Sequence, residues 1–292
     1  MTHASSDQAR VAVVTGANSG IGKVTAAALL REGFRVVVTA RSKERGEAAL
    51  ADFKRDVPGA QVELVLCDLS DLDAVRAAAR DIAQRVDRID VLVNNAGGII
   101  GDRRVTKEGV EETFGGNHLG PFVLTLALMP LLDRAAPSRV VNVASQAHKA
   151  VKDMRWDDLQ FAAPGSYASM KAYGQSKLAN ILYTRELARR VEGTKITVNA
   201  VHPGVVRTRF GDTGGALLRI GVALVRPFLI DEVQGADTSI WLATDPSLEG
   251  KTGGYYIKRK LVTPTPAAES DEGARRLWEI SEKLAGHAAA TA

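Results

Sequence analysis

The sequence predicts a single-domain, doubly wound α/β fold on a parallel sheet of about seven strands. Two observations carry this: short β-branched runs alternate strictly with longer Ala/Leu/Arg segments, and a glycine-rich turn follows the first run directly. A third is the absence of any low-complexity linker or internal repeat, so residues 9–286 read as one domain, with flexible termini at 1–8 and 287–292.

In order, the runs are "VAVVT" at 11–15, "RVVVTA" at 35–40, "QVELVLC" at 61–67, "IDVLVNN" at 89–95, "RVVNVAS" at 139–145 and "KITVNAV" at 195–201. Their apolar continuity between Gly, Asp and Asn suits strands buried on both faces. Segments such as 21–32 and 72–87 have helical composition and length. Only 204–230, rich in Gly and Arg, breaks the alternation, and it reads as a substrate lid or as an ordinary surface insertion.

Composition narrows the function classes. Apolar residues at 45% and charged residues at 25% exclude a disordered or fibrous chain. The net charge of +4 is dispersed, with no long basic run of the kind that binds nucleic acid. Cys67 is the sole cysteine, so no internal disulfide forms, and with a polar start that lacks the layout of a secretory signal this points to the cytoplasm. The apolar stretch 216–230 is broken by Arg219, Arg226 and Pro227 and is too short to span a bilayer, which argues against stable membrane insertion; a lid, a dimer face, a weak membrane-surface contact and plain core remain open for it. The five histidines show no metal-ligand spacing.

After the first run comes "TGANSGIG", with Gly16, Gly20 and Gly22 where the chain must turn and open a helix. Glycines let the backbone approach a pyrophosphate, and free N–H groups at a helix start bind it. A tight strand–helix turn without a ligand is the alternative. The spacing Gly-x-x-x-Gly-x-Gly resembles that of the short-chain dehydrogenase/reductase family, a Rossmann fold, and the resemblance implies that Asn18, Ser19 and Ile21 also line a cofactor. At the end of the second run stands Arg41, where an acidic residue would select NAD. A guanidinium fork matches a 2′-phosphate instead, which favours NADP(H) over the alternative of a solvated arginine. Ser42 and Lys43 are further candidate phosphate contacts.

The family resemblance places Asp68 and Leu69 of "CDLS" by the adenine ring, although Asp68 equally suits the N-cap of the next helix. It places Asn95, Ala96 and Gly97 of "NNAG" along the adenosine side, where they also support the sheet.

The stretch "SYASMKAYGQSKLAN" holds Tyr-x-x-x-Lys twice, as Tyr167 with Lys171 and Tyr173 with Lys177. Carbonyl reduction needs a proton donor, and a lysine one helical turn away favours the phenolate. The six-residue offset rotates the pairs by roughly 120°, so only one faces a given site. Pro164 and Gly165 put the first pair in the opening turn, and "AYGQSKLANILYTRELARR" resembles the catalytic helix of the retinol-dehydrogenase-like branch. The resemblance selects Tyr173 and Lys177 and leaves Tyr167 as a pocket or surface residue. It makes Ser145 the group that holds the substrate oxygen, Asn117 of "FGGNHLGPF" the keeper of a water relay, and Pro203, Gly204, Val206 and Thr208 nicotinamide contacts. His118 reads as structural, His202 has no assigned chemistry, and Gly116 stands where the family often has a bulkier residue. The reaction implied is hydride exchange between NADP(H) and a carbonyl or alcohol, with an apolar aldehyde, ketone or retinoid-like molecule as substrate. A non-enzymatic NADP-binding redox sensor is the alternative. A homodimer or homotetramer through the helices after the fourth and fifth strands is expected from the resemblance alone.

Overall fold

A computed structural model describes residues 9–204 and 231–286. Its sheet has the order β3-β2-β1-β4-β5-β6-β7-β8. The strands are β1 (Val11–Thr15), β2 (Arg35–Ala40), β3 (Val62–Leu66), β4 (Val91–Asn94), β5 (Ser138–Val143), β6 (Ile196–His202), β7 (Tyr255–Ile257) and β8 (Lys260–Leu261). β1 to β7 pair in parallel, which matches the expected sheet, and β8 adds a short antiparallel edge. The hairpin between β7 and β8 turns through Lys258 (φ 50°) and Arg259 (φ 59°), so it lacks the Asn or Gly that announces such a turn in a sequence. Contacts to the preceding helix hold it: the Arg259 guanidinium pairs with Asp237, and its backbone N–H donates to Thr238 Oγ1 at 3.2 Å.

The longer described helices are α1 (Gly20–Arg31), α2 (Lys43–Asp56), α3 (Leu72–Arg85), α4 (Glu112–Ala135), α5 (Ser169–Arg190), α6 (Glu232–Thr244) and α7 (Asp271–Leu284). One sheet face packs against α1, α2 and α6 through Leu29, Phe53 and Leu242; the other packs against α3, α4 and α5 through Ile82, Phe122 and Leu182, and Leu277 of α7 joins the same core. The chain thus winds out from β1 in both directions. This opens a crevice at the carboxyl ends of β1 and β4, where strand order reverses.

Two features of α4 shape that crevice. Pro121 has no N–H to donate, and the Gly120 N–H reaches back five residues to Gly115 O, so residues Gly115–Leu119 form a π turn that carries Asn117. A Cβ on Gly120 would lie 2.1 Å from Leu69 O, so α4 packs directly against the turn after β3. Helix α4 is long and apolar enough to cross a bilayer, but most of it is buried inside the protein, as in a core helix. Helix α7 lies over α4 and α5, with Trp278 against Phe122 and Tyr183 at ring distances of 4.9 and 6.1 Å. It therefore covers part of the two helices through which self-association was expected.

Candidate active site

The glycine turn is built by sterics as much as by ligand chemistry. Gly16 (φ 65°) and Gly20 (φ 59°) occupy the left-handed region that side chains avoid. A Cβ on Gly22 would lie 2.3 Å from Asn95 Nδ2 and 2.6 Å from Gly16 O. Asn95 itself ties this turn to β4: its Nδ2 donates to Thr15 O at 2.8 Å, and the Asn95 and Ala96 N–H groups both donate to Thr15 Oγ1 at 3.0 Å. Ser19 precedes α1 without capping it by its side chain, and the first turn has no acidic residue, so the α1 amino terminus is left to an anion. These features fit the pyrophosphate of a dinucleotide.

Around the turn, one cleft is lined by Gly16, Asn18, Ser19, Gly20, Ile21, Gly22, Arg41, Asp68, Leu69, Asn95, Ala96, Gly97, Asn117, Ser145, Tyr173, Lys177, Pro203 and Gly204. Of the predicted site residues in the described chain, all but the further phosphate candidates Ser42 and Lys43 therefore meet there. Val206 and Thr208, with the rest of the 205–230 portion of the expected lid, lie outside the described residues. Arg41 ends β2 exposed and makes no ion pair with any described residue. Ser42 and Lys43 do not line the cleft: Ser42 Oγ caps α2 by accepting from Arg45 N, and Lys43 pairs with Glu47 at 3.8 Å. Asp68 is not the N-cap of α3. That position is Asp71, while Asp68 Oδ1 accepts from Ser70 N and Ser70 Oγ and closes the turn before it.

The start of α5 separates the two tyrosines. Tyr167 precedes the helix, its hydroxyl donates to Ile100 O at 2.8 Å, and Lys171 is exposed. Tyr173 and Lys177 lie one turn apart inside the helix, 7% and 2% exposed, and both line the cleft. Ser145, just beyond β5, stands in hydrogen-bonding reach of Tyr173. The turn that carries it packs on α5 at Gly174, where a Cβ would approach Ala147 O to 2.7 Å. Gly174→Ala is expected to destabilise the protein by about 1–3 kcal/mol net of alanine's better helix propensity, and a thermal melt checks it. An unchanged melt would mean that the turn shifts freely.

Burial governs the charges. It raises the Tyr173 phenol pKa, against an opposing hydrogen bond from Ser145, and pushes Lys177 down to about 8. Lys177 Nζ donates to Val143 O at 3.0 Å and faces Gly97, on which a Cβ would lie 3.1 Å away. Asn117 Oδ1 accepts from Gly98 N, and its Nδ2 donates to Gly98 O and to Ser176 Oγ; Ser176 Oγ donates in turn to Tyr173 O. The π turn of α4 is thus laced to the Gly98 wall and to the Tyr173 turn of α5. His118 is structural: it is buried, its Nε2 lies 2.8 Å from Ser281 Oγ on α7, and burial holds its pKa down to about 3. At Gly116 an added Cβ would find its nearest neighbour at 3.9 Å, so the small residue leaves room on the cleft wall.

Sequence reasoning missed Thr15, Ser176 and His202. Thr15 carried a signal, a polar residue closing an otherwise apolar strand. The others act through distant partners that no local pattern reveals. It also missed the apolar side of the cleft, formed by Ile99, Ile100 and the exposed Met170.

Comparison with known proteins agrees with the fold. A family profile described as short chain dehydrogenase matches residues 10–155 and 161–214. Retinol dehydrogenase 14 of Homo sapiens is 42% identical over 298 residues, a match covering 95% of this chain and 86% of the relative. Retinol dehydrogenase 12 of Mus musculus is 42% identical over 277 residues with the same coverage. Among solved structures, an uncharacterised protein from Mycobacterium paratuberculosis is similar with a TM-score of 0.76 at 34% identity, covering 95% of this chain and 93% of that one. Pseudomonas aeruginosa RhlG, solved as an active-site complex with NADP, gives a TM-score of 0.67 at 27% identity, covering 89% and 96%.

Proposed function

The chain belongs to the short-chain dehydrogenase family, and on that premise we propose that it is an NADP(H)-dependent enzyme that interconverts an apolar carbonyl compound and its alcohol. The observation that carries the reading is the meeting of buried Tyr173 and Lys177 with Ser145 beside the glycine turn, at the carboxyl ends of the strands.

When bound, the nicotinamide supplies or accepts the hydride. The protein does the rest. In reduction, the Ser145 hydroxyl donates to the substrate oxygen and holds it beside Tyr173, whose phenol gives its proton to the developing alkoxide. In oxidation the phenolate takes that proton back. Lys177, held by Val143 O against the Gly97 wall, supplies the positive charge that favours the phenolate and would hold the ribose of a bound cofactor. Asn117 holds the wall and the helix in register and supports proton exchange with solvent.

The cofactor preference rests on Arg41, a cation with no described carboxylate partner at the end of β2. The substrate class rests on Ile99, Ile100 and Met170 in the cleft and on the retinol dehydrogenases among the relatives. Fluorescence titration with NADPH and NADH, followed by aliphatic, aromatic and retinoid aldehydes, tests both. NADPH-preferring binding with aldehyde-dependent oxidation is expected; binding without turnover across the panel would shift the reading to a redox sensor. Arg41→Asp is expected to weaken NADPH roughly 10- to 100-fold more than NADH, the worth of a charged hydrogen bond or two. Equal losses for both cofactors would remove Arg41 from the 2′-phosphate.

A further inference from the structure

Ser145 and Gln146 share one peptide group, and two buried histidines grip it from opposite ends. His148 Nδ1 lies 2.7 Å from Ser145 O, and His202 Nδ1 lies 3.3 Å from Gln146 N. A carbonyl oxygen only accepts and a backbone N–H only donates, so both tautomers are fixed: His148 carries its proton on Nδ1, and His202 carries its proton on Nε2. The far side of His148 agrees, since its Nε2 accepts from Thr265 N at 3.4 Å. Both rings are enclosed, at 0% and 6% exposure, and His148 packs edge-on to Tyr255 at 5.4 Å.

The grip bears on one side chain. Ser145 is the N-cap of the short helix Gln146–Ala150, and its Oγ accepts from Ala147 N at 3.1 Å. Rotation of the Ser145–Gln146 peptide would break that cap and swing the hydroxyl away from Tyr173. We propose that His148 and His202 are positioning residues that clamp the Ser145–Gln146 peptide and so aim the Ser145 hydroxyl at the substrate oxygen. Neither touches the reacting atoms in this role. The clamp needs His202 neutral to accept from Gln146 N, and the bond from Thr265 N needs His148 neutral; burial supports both by lowering both pKa values, that of His202 to about 4, and the neighbouring Lys149 charge acts in the same direction on each. Because His148 bridges Ser145 O to Thr265 N, the clamp also ties the active-site turn to the segment that leads into α7.

The proposal rests on the carbonyl-reducing reading of the site, and its test separates the two. An asparagine side chain places its amide near Nδ1 of the histidine it replaces, and a glutamine places its amide near Nε2. His148→Asn keeps the donor to Ser145 O, whereas His148→Gln keeps only the partner of Thr265 N. His148→Gln is expected to lose kcat by about 10- to 100-fold with NADPH affinity unchanged, the scale of a small misplacement of a reacting group. His148→Asn is expected to recover most of that loss. His202→Asn, which retains an acceptor for Gln146 N, is expected to exceed His202→Leu in kcat in the same way. Equal kcat for the Asn and Gln variants of His148, or losses confined to thermal stability, would overturn the clamp. Should the variants fail to fold, 15N imidazole shifts of the unsubstituted protein decide: Nδ1–H on His148 with Nε2–H on His202 supports the clamp, and any other pair of tautomers overturns it. Absence of carbonyl turnover in the unsubstituted protein would overturn the functional reading and this proposal with it.

Discussion

Tyr173→Phe is expected to lower kcat for aldehyde reduction by roughly 10²–10⁴-fold, the contribution of a positioned general acid, while NADPH binding stays close to that of the unsubstituted protein. The side chain is 7% exposed and packed in the cleft, and phenylalanine keeps its ring and volume, so what the substitution removes is the hydroxyl. Without it the developing alkoxide finds only Ser145, a weaker acid whose hydroxyl is committed to orientation. Tyr167→Phe is the matched control. It also removes one phenolic hydroxyl, but that hydroxyl donates to Ile100 O and does not line the cleft, so most turnover should remain. A modest rise in KM is the expected sign of a loosened Ile100 wall. Steady-state kinetics on both variants, with NADPH titration beside them, checks the pair. Reversed losses would assign the chemistry to the opening turn of α5, and equal small losses would remove the phenol from proton transfer altogether.

Why the second pair was legible and much else was not follows from the range over which each signal acts. Strands β1 and β2 coincide with their β-branched runs because both faces are covered and the whole run must be apolar. The glycine turn was legible because positive φ at Gly16 and Gly20 leaves few other residue choices. Tyr173 and Lys177 were legible through helical periodicity together with a Pro-Gly break that sets the phase of α5. The β7–β8 hairpin was not, because Lys258 and Arg259 take left-handed conformations without an Asn or Gly, and the contacts that hold the turn run from Arg259 to Asp237 and Thr238 about twenty residues away. The N-cap of α3 was left open at Asp68 and lies three residues on at Asp71, since the two are chemically equivalent candidates and only the path of the chain after β3 separates them. The clamp on Ser145 was invisible for the same reason. His148 and His202 stand 54 positions apart, and only the pairing of β5 with β6 brings them to one peptide.

Lys177→Met is expected to abolish useful turnover and yet raise thermal stability at neutral pH. Burial lowers the Lys177 pKa from the ordinary lysine value of 10.5 to about 8, so at pH 7 the folded protein holds a buried ammonium whose charged form the fold disfavours. The difference corresponds to a cost of about 3 kcal/mol. The sign follows from linkage: between pH 8 and 10.5 the unfolded chain binds more protons at this lysine than the folded one, so the cost is full below pH 8 and fades as pH rises toward 10.5. Methionine keeps the unbranched side chain to within one atom of its length and removes the charge. Its loss of the bond to Val143 O is tempered because Asn180 Nδ2 also donates to that oxygen, at 3.2 Å. The variant should therefore melt several degrees higher at pH 7, with the advantage shrinking as pH approaches 10, while the charge that favours the Tyr173 phenolate is gone. Melting curves at pH 7 and pH 10 on both proteins read this directly. A lower melting temperature at pH 7 would mean that the ammonium is better solvated than its burial implies, and that the fold bears no such cost to keep its lysine in place.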